Sequence, residues 1–366
     1  MESKKFLTEQ IITYIGNKRS LLDFIEEPIK IVLEELSKNK IDTLDLFSGS
    51  GIVARYLKQY SRILYTNDLE SYSKTVNSCY LTNKSEINVS KLKEYHEIII
   101  NRIIEKGMKP GFISRLYSPK DDNNIQIGER VFFTTRNASY IDTVRQLLEE
   151  VPEPYKTLLL GPLIYEASNK NNTSGVFKGF YKNSETKLGQ FGGNGKNALK
   201  RILADISLEI PVLSRFECEV HVYQEDANKL VEMLPKVDLA YLDPPYNQHP
   251  YGSNYFMLNL INDYIEPKSI SEVSGIPKNW NKSKYNSKKS AIESMEDLCD
   301  KINARYVLIS FNSEGFITKD NMIDILSKQG EVRIFEKKYN TFRGSRNLKN
   351  RDMHVKEYLF LLKKGC

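Results

Sequence analysis

The sequence predicts an α/β protein with a mostly parallel sheet of about seven strands and a second module inserted into it. Three observations predict this class. Short apolar segments of strand length alternate with segments of helical spacing, a glycine turn follows the first apolar segment, and several strand-like segments end in acids. The chain has 366 residues, which is longer than a usual single domain and leaves room for a second module.

The first strand and its turn are predicted at residues 41–51, where an apolar segment runs into Gly49 and Gly51. Residues 52–57 have helical spacing, so these pieces form the first half of a βαβ unit. Glycines let the backbone pass close to a ligand, and the helix start offers free N–H groups to a carboxylate. The spacing departs from Gly-x-Gly-x-x-Gly, which disfavours a nicotinamide dinucleotide. A glycine turn that binds nothing is the alternative interpretation.

Two further strands are predicted to end in acids, at residues 62–70 and 218–226. Asp68 follows Asp45 by 23 positions, close to the spacing at which dinucleotide-type folds place a ribose-binding acid. Asp226 is open to two interpretations, an acceptor for a bound ligand or a solvated acid that begins the next helix.

The fourth strand, at residues 237–242, stops abruptly in Asp243, Pro244, Pro245 and Tyr246. Prolines lack the N–H donor that a strand ladder needs, so they leave the acid and the ring in a rigid turn at the carboxyl edge of the sheet. Ligands of open α/β sheets bind at that edge. A carboxylate acceptor beside a stacking ring suits a planar molecule with an exocyclic amine, such as adenine.

The rest of the core continues the alternation of strands and helices. Residues 254–261 are predicted as a helix beside the acid-proline turn, and residues 306–312 and 357–362 as further strands. Ahead of the first strand, residues 13–22 combine a short glycine turn with the start of an amphipathic helix that continues to about Leu36.

A long segment between the second and third strands lacks the βαβ rhythm. It contains helical patterns around residues 92–104 and 140–148 and an aromatic, glycine-rich section at residues 173–182. Its length is sufficient for a module of its own. We therefore predict a catalytic domain of residues 1–80 and 215–366, with an inserted domain of residues 81–214.

Composition narrows the class of protein. The formal net charge of +6, from 53 basic and 47 acidic side chains, fits a protein that approaches a polyanion but is also unremarkable for an enzyme. The four cysteines are far apart and the four histidines do not cluster, so we expect no disulfide framework and no metal site. No apolar run is long enough to cross a bilayer, and the N-terminus lacks the apolar core of a signal peptide. We expect a cytoplasmic protein with no membrane partner.

Taken in chain order, these parts resemble one known family. The order is Tyr14–Leu22, the turn of residues 45–51, Asp68, a long insertion, Asp226 and Asp243–Tyr246. That succession resembles the D12 class, or alpha group, of DNA adenine-N6 methyltransferases, which includes Dam-like enzymes and methyltransferases of restriction systems. Tyr14 stands where Dam-like enzymes often have Trp, and residues 247–253, which follow Tyr246, resemble methyltransferases of restriction systems more than Dam. The resemblance implies a Rossmann-like methyltransferase fold, S-adenosylmethionine as cofactor and double-stranded DNA as partner, with a target-recognition domain at residues 81–214.

The resemblance also implies the site residues. Catalysis falls to Asp243, Pro244, Pro245 and Tyr246. Cofactor binding falls to Tyr14, Lys18, Asp45, Phe47, Gly49, Gly51, Asp68, Asp226 and Asp243. In this mechanism the Asp243 carboxylate and the Pro244 carbonyl accept the two hydrogens of adenine N6, and Tyr246 stacks on a flipped base. Ser at position 243 would have favoured cytosine-N4 methylation, and Asn would have favoured methylation of a protein glutamine.

Basic residues between the last two predicted strands are candidates for DNA binding. They are Arg343, Arg346, Lys349 and Arg351. Contact with phosphates and a solvated hairpin are both open for them. Two alternative functions also stay open, adenine-N6 methylation of RNA and a non-catalytic subunit that binds cofactor and DNA. No cluster of acids and lysine typical of a nuclease remains, so a cognate restriction endonuclease would be a separate protein.

Overall fold

A seven-stranded sheet organises the protein in the computed structural model, which describes residues 4–9, 11–196, 198–340 and 354–365. The strands are β1 (Ile41–Asp45), β2 (Ser61–Asn67), β3 (Glu219–Tyr223), β4 (Val237–Leu242), β5 (Ala304–Asn312), β6 (Gly330–Asn340) and β7 (His354–Lys364). Their order in the sheet is β3-β2-β1-β4-β5-β7-β6. The first five are parallel, and β7 runs antiparallel to both β5 and β6. The predicted fold class, a mostly parallel sheet of the Rossmann-like type, is confirmed.

Helices connect the strands and form most of the inserted segment. The helices of the core are α1 (Lys4–Thr8), α2 (Leu22–Glu35), α3 (Ile52–Leu57), α4 (Ser71–Tyr80), α10 (Ala227–Leu230), α11 (Tyr251–Asn254), α12 (Phe256–Asp263), α13 (Lys288–Lys301) and α14 (Lys319–Ser327). Those of the inserted segment are α5 (Val89–Lys106), α6 (Phe112–Tyr117), α7 (Thr135–Leu148), α8 (Tyr155–Asn169) and α9 (Leu199–Ile202). Among the described residues, no helix has both the length and the apolar character needed to cross a membrane.

The direction of the chain across the sheet reverses between β1 and β4. From β1 it proceeds outward through β2 to β3, then returns to β4 on the other side of β1 and proceeds to β5. The two neighbouring strands at such a reversal send their following loops to opposite sides, which opens a crevice at their carboxyl ends. The structure therefore places the ends of β1 and β4 at the position where open α/β sheets bind ligands.

Strand β4 explains why its end is rigid. All six of its residues are buried, as expected for a central parallel strand covered on both faces. Leu239 and Tyr241 pack into the cluster on one face, while Ala240 and Leu242 pack into the cluster on the other. Because the strand is fixed on both sides, the residue that follows it is held at a defined place at the sheet edge.

The inserted segment packs directly on the catalytic core. One hydrophobic cluster joins residues of α5, α7 and α8 to residues of α4 and α12. The closest approach is at Gly161 of α8, where a Cβ atom would stand 2.6 Å from the Sγ of Cys79 on α4. Glycine at position 161 is thus required for this helix contact. The division of the chain at residues 81 and 214 stays a prediction.

Candidate active site

A cavity opens at the carboxyl edge of the sheet, where the chain direction reverses. Most of the residues predicted for the site line it. They are Tyr14, Lys18, Asp45, Phe47, Gly49, Asp68, Asp226, Asp243 and Pro245. Gly51, Pro244 and Tyr246 lie in the same two turns but are not part of the lining. Residues more than 200 positions apart in the sequence are thus brought into one cavity.

Gly49 has to be glycine because of its backbone and its neighbour. Its φ is +49°, a conformation that side chains disfavour, and a Cβ atom there would lie 2.8 Å from the ring of Tyr14. Its N–H donates to the Asp68 carboxylate at 2.8 Å. Gly51 also has positive φ, at +74°, and begins α3. The turn predicted to approach a ligand therefore also receives a ring and a carboxylate at close range.

The segment before α2 is clamped over this turn by tyrosines. The ring of Tyr14 stacks against those of Tyr251 and Tyr255, with ring centroids 5.0 and 4.8 Å away, and the latter two rings also stack on each other at 6.0 Å. The N–H of Ile15 donates to the Tyr255 hydroxyl at 2.7 Å, and the Tyr251 hydroxyl donates to the Ile15 carbonyl at 3.2 Å. These contacts place Tyr14 and Lys18 in the cavity wall.

The acids at the ends of β1 and β2 are buried. Asp45 is 1% exposed, and its carboxylate faces the backbone N–H groups of Ala54 and Phe47 without a well-formed hydrogen bond among the described residues. Burial, with Asp243 and Asp68 nearby, raises the pKa of Asp45 well above its ordinary value. Burial also raises the pKa of Asp68 to about 6, against the opposing effect of backbone N–H donors from Glu70, Gly49 and Leu69. A cavity with such acids favours a ligand that carries positive charge or hydrogen-bond donors.

Asp226 begins a helix and also lies in the cavity wall. Its side chain accepts from the N–H groups of Asn228 and Lys229, at 3.1 and 3.3 Å, and so caps α10. It also lines the cavity. A capping acid at a ligand-binding edge is therefore not an alternative to a binding acid, since one carboxylate has enough acceptor sites for both.

Glu70 lines the cavity although its sequence pattern did not select it. It is 3% exposed and accepts from the amide nitrogens of Asn259 and Asn281, at 2.5 and 3.1 Å. Burial raises its pKa to about 7, which the two amide donors oppose and Asp68 reinforces. The available signal was its position two residues after Asp68. The asparagines gave no signal, because they come from α12 and from the loop that follows it.

The acid-proline turn brings Asp243 beside a buried cation. The Lys18 ammonium lies 3.2 Å from the Asp243 carboxylate and 2.6 Å from the carboxylate of Glu357 on β7. Burial raises the pKa of Asp243 to about 6; the charge of Lys18 lowers it and that of Glu357 raises it. Glu357 had no distinguishing sequence pattern, because it lies within an apolar strand.

The ring of Tyr246 is held by two contacts. It meets the ring of Phe311 edge-on, with centroids 5.9 Å apart, and its centroid lies 5.7 Å from the Lys18 ammonium. The next segment of chain is fixed as well, because the N–H of Phe316 donates to the Tyr246 carbonyl. The ring is thus supported on the core side of the turn.

The basic residues predicted to contact DNA, Arg343, Arg346, Lys349 and Arg351, lie outside the described residues. The pairing of the flanking strands β6 and β7 shows at which edge of the sheet their described ends lie. Asn340 of β6 pairs with His354 of β7, and Glu357 of β7 pairs with Asn312 at the carboxyl end of β5. The end of β6 and the start of β7 therefore lie at the same edge of the sheet as Asp243. The role of the four basic residues in DNA binding stays a prediction.

The fold and the cavity together define a class of protein, a Rossmann-like methyltransferase with an acidic cavity at the reversal of its sheet. The family is shown by comparison. The family model described as D12 class N6 adenine-specific DNA methyltransferase matches residues 14–325, and the chain belongs to this family. The predicted family and the predicted activity, site-specific methylation of adenine N6 in DNA, are confirmed.

Relatives agree with this family over almost the whole chain. The type II methyltransferase M.CviAII of Paramecium bursaria Chlorella virus 1 is 31% identical, with 96% of this chain and 98% of the relative aligned. The type II methyltransferase M.NlaIII of Neisseria lactamica is 30% identical, with 96% and 99% aligned. The type II methyltransferase M.FokI of Planomicrobium okeanokoites is also 30% identical over 96% of this chain, which spans 52% of that relative. These names support a restriction-modification context and give no support to the RNA alternative.

Proposed function

We propose that the cavity binds S-adenosylmethionine and that Asp243 and Pro244 present acceptors to N6 of an adenine flipped out of double-stranded DNA. The observation that best supports this proposal is that Asp243 and the Gly49 turn line the same cavity, although they follow different strands. A base acceptor and a cofactor turn that share one space can hold donor and acceptor in line.

The chemistry of the cavity fits this cofactor. S-adenosylmethionine carries a positive sulfonium, an ammonium group, ribose hydroxyls and an adenine amine, all of which are complementary to carboxylates. The cavity supplies four such carboxylates, those of Asp45, Asp68, Glu70 and Asp226. When bound, the cofactor would supply an activated methyl group. Asp45, Asp68 and Asp226 would hold it, with the Gly49 turn against it and Tyr14 covering it.

The role of Asp243 follows from the electronic structure of adenine. N6 is a poor nucleophile because its lone pair is delocalised into the ring. Two acceptors that face its two hydrogens favour a tetrahedral nitrogen, which localises the lone pair. The Asp243 carboxylate and the Pro244 carbonyl supply these acceptors. Lys18 beside Asp243 favours the ionised carboxylate, which is the form that accepts.

The proposal places recognition of the DNA sequence in residues 81–214, with an exposed basic strip as its phosphate contact. The strip consists of Lys178, Lys182, Lys187, Lys196 and Lys200. None of these five forms an ion pair with a described acid, unlike many other lysines of the chain. The strip begins one residue after Phe177, whose N–H donates at 2.7 Å to the carbonyl of Asn254 on α11, the helix whose Tyr251 and Gly252 line the cavity. Unpaired cations beside the proposed base-binding turn suit a polyanion.

The experiment that tests the proposed function is transfer of labelled methyl groups to DNA. The purified protein is incubated with S-adenosylmethionine and plasmid DNA, and the modified bases are identified and mapped. We expect N6-methyladenine at one recurring sequence. Absence of label in DNA with intact, folded protein would reject the proposal. A cognate restriction endonuclease, if the host has one, should be blocked by the same modification.

A salt titration tests the basic strip. The logarithm of the DNA-binding constant falls linearly with the logarithm of the salt concentration. Each phosphate contact that is lost makes the slope of this line less steep by about 0.9. We expect the double variant Lys178→Ala/Lys182→Ala to bind duplex DNA more weakly and with a slope shallower by about two contacts. Lys328→Ala is the matched control, because that exposed lysine precedes β6 at the opposite edge of the sheet. Equal slopes for the double variant and the control would remove the strip from the DNA interface.

The buried acids predict that cofactor binding depends on pH. Their folded pKa values, about 6 for Asp68 and about 7 for Glu70, lie above the ordinary values near 4. Their contribution to stability is therefore present below about pH 4 and is lost as the pH rises through 6 to 7. Because a cationic ligand favours the ionised acids, we expect S-adenosylmethionine to bind more tightly at pH 8 than at pH 5.5.

Calorimetric titration and thermal melting at the two pH values check this expectation. The ligand-free protein should lose stability between pH 5.5 and 8, and the ligand should restore more of it at pH 8. Glu70→Gln should show a smaller loss, because one of the titrating groups is absent. A wild-type affinity that is the same at both pH values would contradict the prediction.

A further inference from the structure

Three charged side chains, Lys18, Asp243 and Glu357, form a buried group beneath the catalytic turn, which we call the charge trio. Lys18 and Glu357 are each 3% exposed. The Lys18 ammonium lies 2.6 Å from Glu357 and 3.2 Å from Asp243, so a single cation bridges two carboxylates. The trio joins the segment before α2, the end of β4 and the strand β7. Its geometry therefore depends on three separate parts of the chain.

Glu357 is fixed by further contacts besides its ion pair with Lys18. Its carboxylate also accepts from the Ser310 hydroxyl at 3.1 Å, across the pairing of β5 with β7. Its strand neighbours Tyr358 and Phe360 are part of the hydrophobic core. A buried ion pair gives little net stability, since apolar residues of similar size often serve as well. The charge of Glu357 is therefore better explained by the active site than by the fold.

We propose that Glu357 is a positioning residue for methyl transfer, which anchors the Lys18 ammonium and through it fixes the Asp243 carboxylate in the orientation that accepts from adenine N6. This inference rests on the proposed function. Glu357 itself touches neither substrate nor cofactor in this role. Lys18, which the family resemblance assigned to cofactor binding, then serves mainly to hold Asp243.

The charges around Asp243 determine in which direction its pKa should move when Glu357 is replaced. Lys18 favours its ionised form, while Glu357 and Asp45 disfavour it. The other groups that face it are the hydroxyls of Tyr241, Tyr246 and Tyr251, which are neutral at working pH because burial raises their pKa. Removal of the negative charge at position 357 should therefore let Asp243 ionise at lower pH. Removal of the anchor should instead misplace Lys18.

Two variants separate charge from anchoring. In Glu357→Gln an amide oxygen still accepts from Lys18 while the charge is lost, so the acidic limb of the transfer rate against pH should move to lower pH. In Glu357→Ala the anchor is lost, so the single-turnover rate should fall about 10- to 100-fold at every pH. Binding of S-adenosylmethionine, measured by calorimetric titration, should be unchanged in both. Glu336→Gln on β6, a partly exposed glutamate paired with Lys356, is the control and should match the wild type.

The outcomes that overturn the inference are specific. They are an acidic limb of Glu357→Gln at the wild-type position, a wild-type rate in Glu357→Ala, or equal loss of cofactor binding and rate. If Glu357→Ala does not fold, the pH profile of Glu357→Gln decides alone. Failure of the proposed function is distinguishable, because it would appear as a wild-type protein that methylates no adenine, before any variant of Glu357 is compared.

Discussion

Asp243→Ala should reduce methyl transfer to DNA by about 10³-fold or more, to a level near background. The substitution removes the acceptor that the structure holds at the end of β4, where all six strand residues are buried and the next two are prolines. Loss of one preorganised group at a reacting centre typically costs about 10²–10³ in rate. A larger loss is expected here because Lys18 would be left facing the N6 nitrogen, and a cation repels the positive charge that develops there.

The measurement is single-turnover transfer of a labelled methyl group, with enzyme in excess over DNA. Asp243→Asn keeps one acceptor oxygen and should fall between the wild type and Asp243→Ala. Asp263→Ala, at the exposed end of α12, is the matched control and should retain wild-type transfer. Wild-type incorporation by Asp243→Ala would remove the proposed mechanism, whatever the affinity of the variant for cofactor and DNA.

The sheet could be predicted because its strands carry local signals. Residues 237–242 are apolar and end in prolines, and residues 41–51 join an apolar run to two glycines of positive φ. The parallel strands follow from this pattern, since each signal depends only on neighbours in the sequence. Strand β6, at the edge of the sheet, was not predicted, because charged residues interrupt its apolar ones and leave neither an apolar run nor a regular alternation. Its pairing with β7 decides its structure.

The helices of the inserted segment show the same limit. The helical patterns at residues 92–104 and 140–148 lie within the longer helices α5 and α7, because apolar residues recur there at helical spacing. Helix α8 was not predicted, since it is apolar on nearly all sides and contains Gly161 and Pro162. Those two residues argue against a helix locally. Its burial between α4, α7 and α12 overrides that preference.

Some residues of the site could be predicted from the sequence and others could not, for the same reason. Asp243, Asp45, Gly49 and Asp68 could be selected because each stands at the end of a predicted strand, and such ends meet at one edge. Glu357 and the tyrosine clamp of Tyr251 and Tyr255 could not. Their positions in the site depend on how β7 and α11–α12 pack against the segment before α2, and sequence spacing does not encode that packing.

Tyr246→Ala should lower turnover strongly but less than Asp243→Ala does. Stacking of a base on an aromatic ring contributes about 1–3 kcal/mol, which corresponds to a decrease of about 5- to 150-fold. The ring is supported by Phe311 and lies near the Lys18 ammonium, so its position is fixed before a base arrives. Tyr246→Phe keeps the ring and the Phe311 contact and should retain most of the activity.

Mispaired DNA distinguishes stacking from a general disturbance of the turn. An adenine opposite a wrong base costs less to extrude than a paired adenine, since part of the pairing energy is already lost. If Tyr246 compensates for extrusion, the deficit of Tyr246→Ala should shrink on mispaired substrate, while the deficit of Asp243→Ala should not. An unchanged deficit on both substrates would place the role of Tyr246 in holding the turn and Lys18. In that case the supports of Asp243 would extend from Glu357 through Lys18 to the ring, and base stacking would need a different side chain.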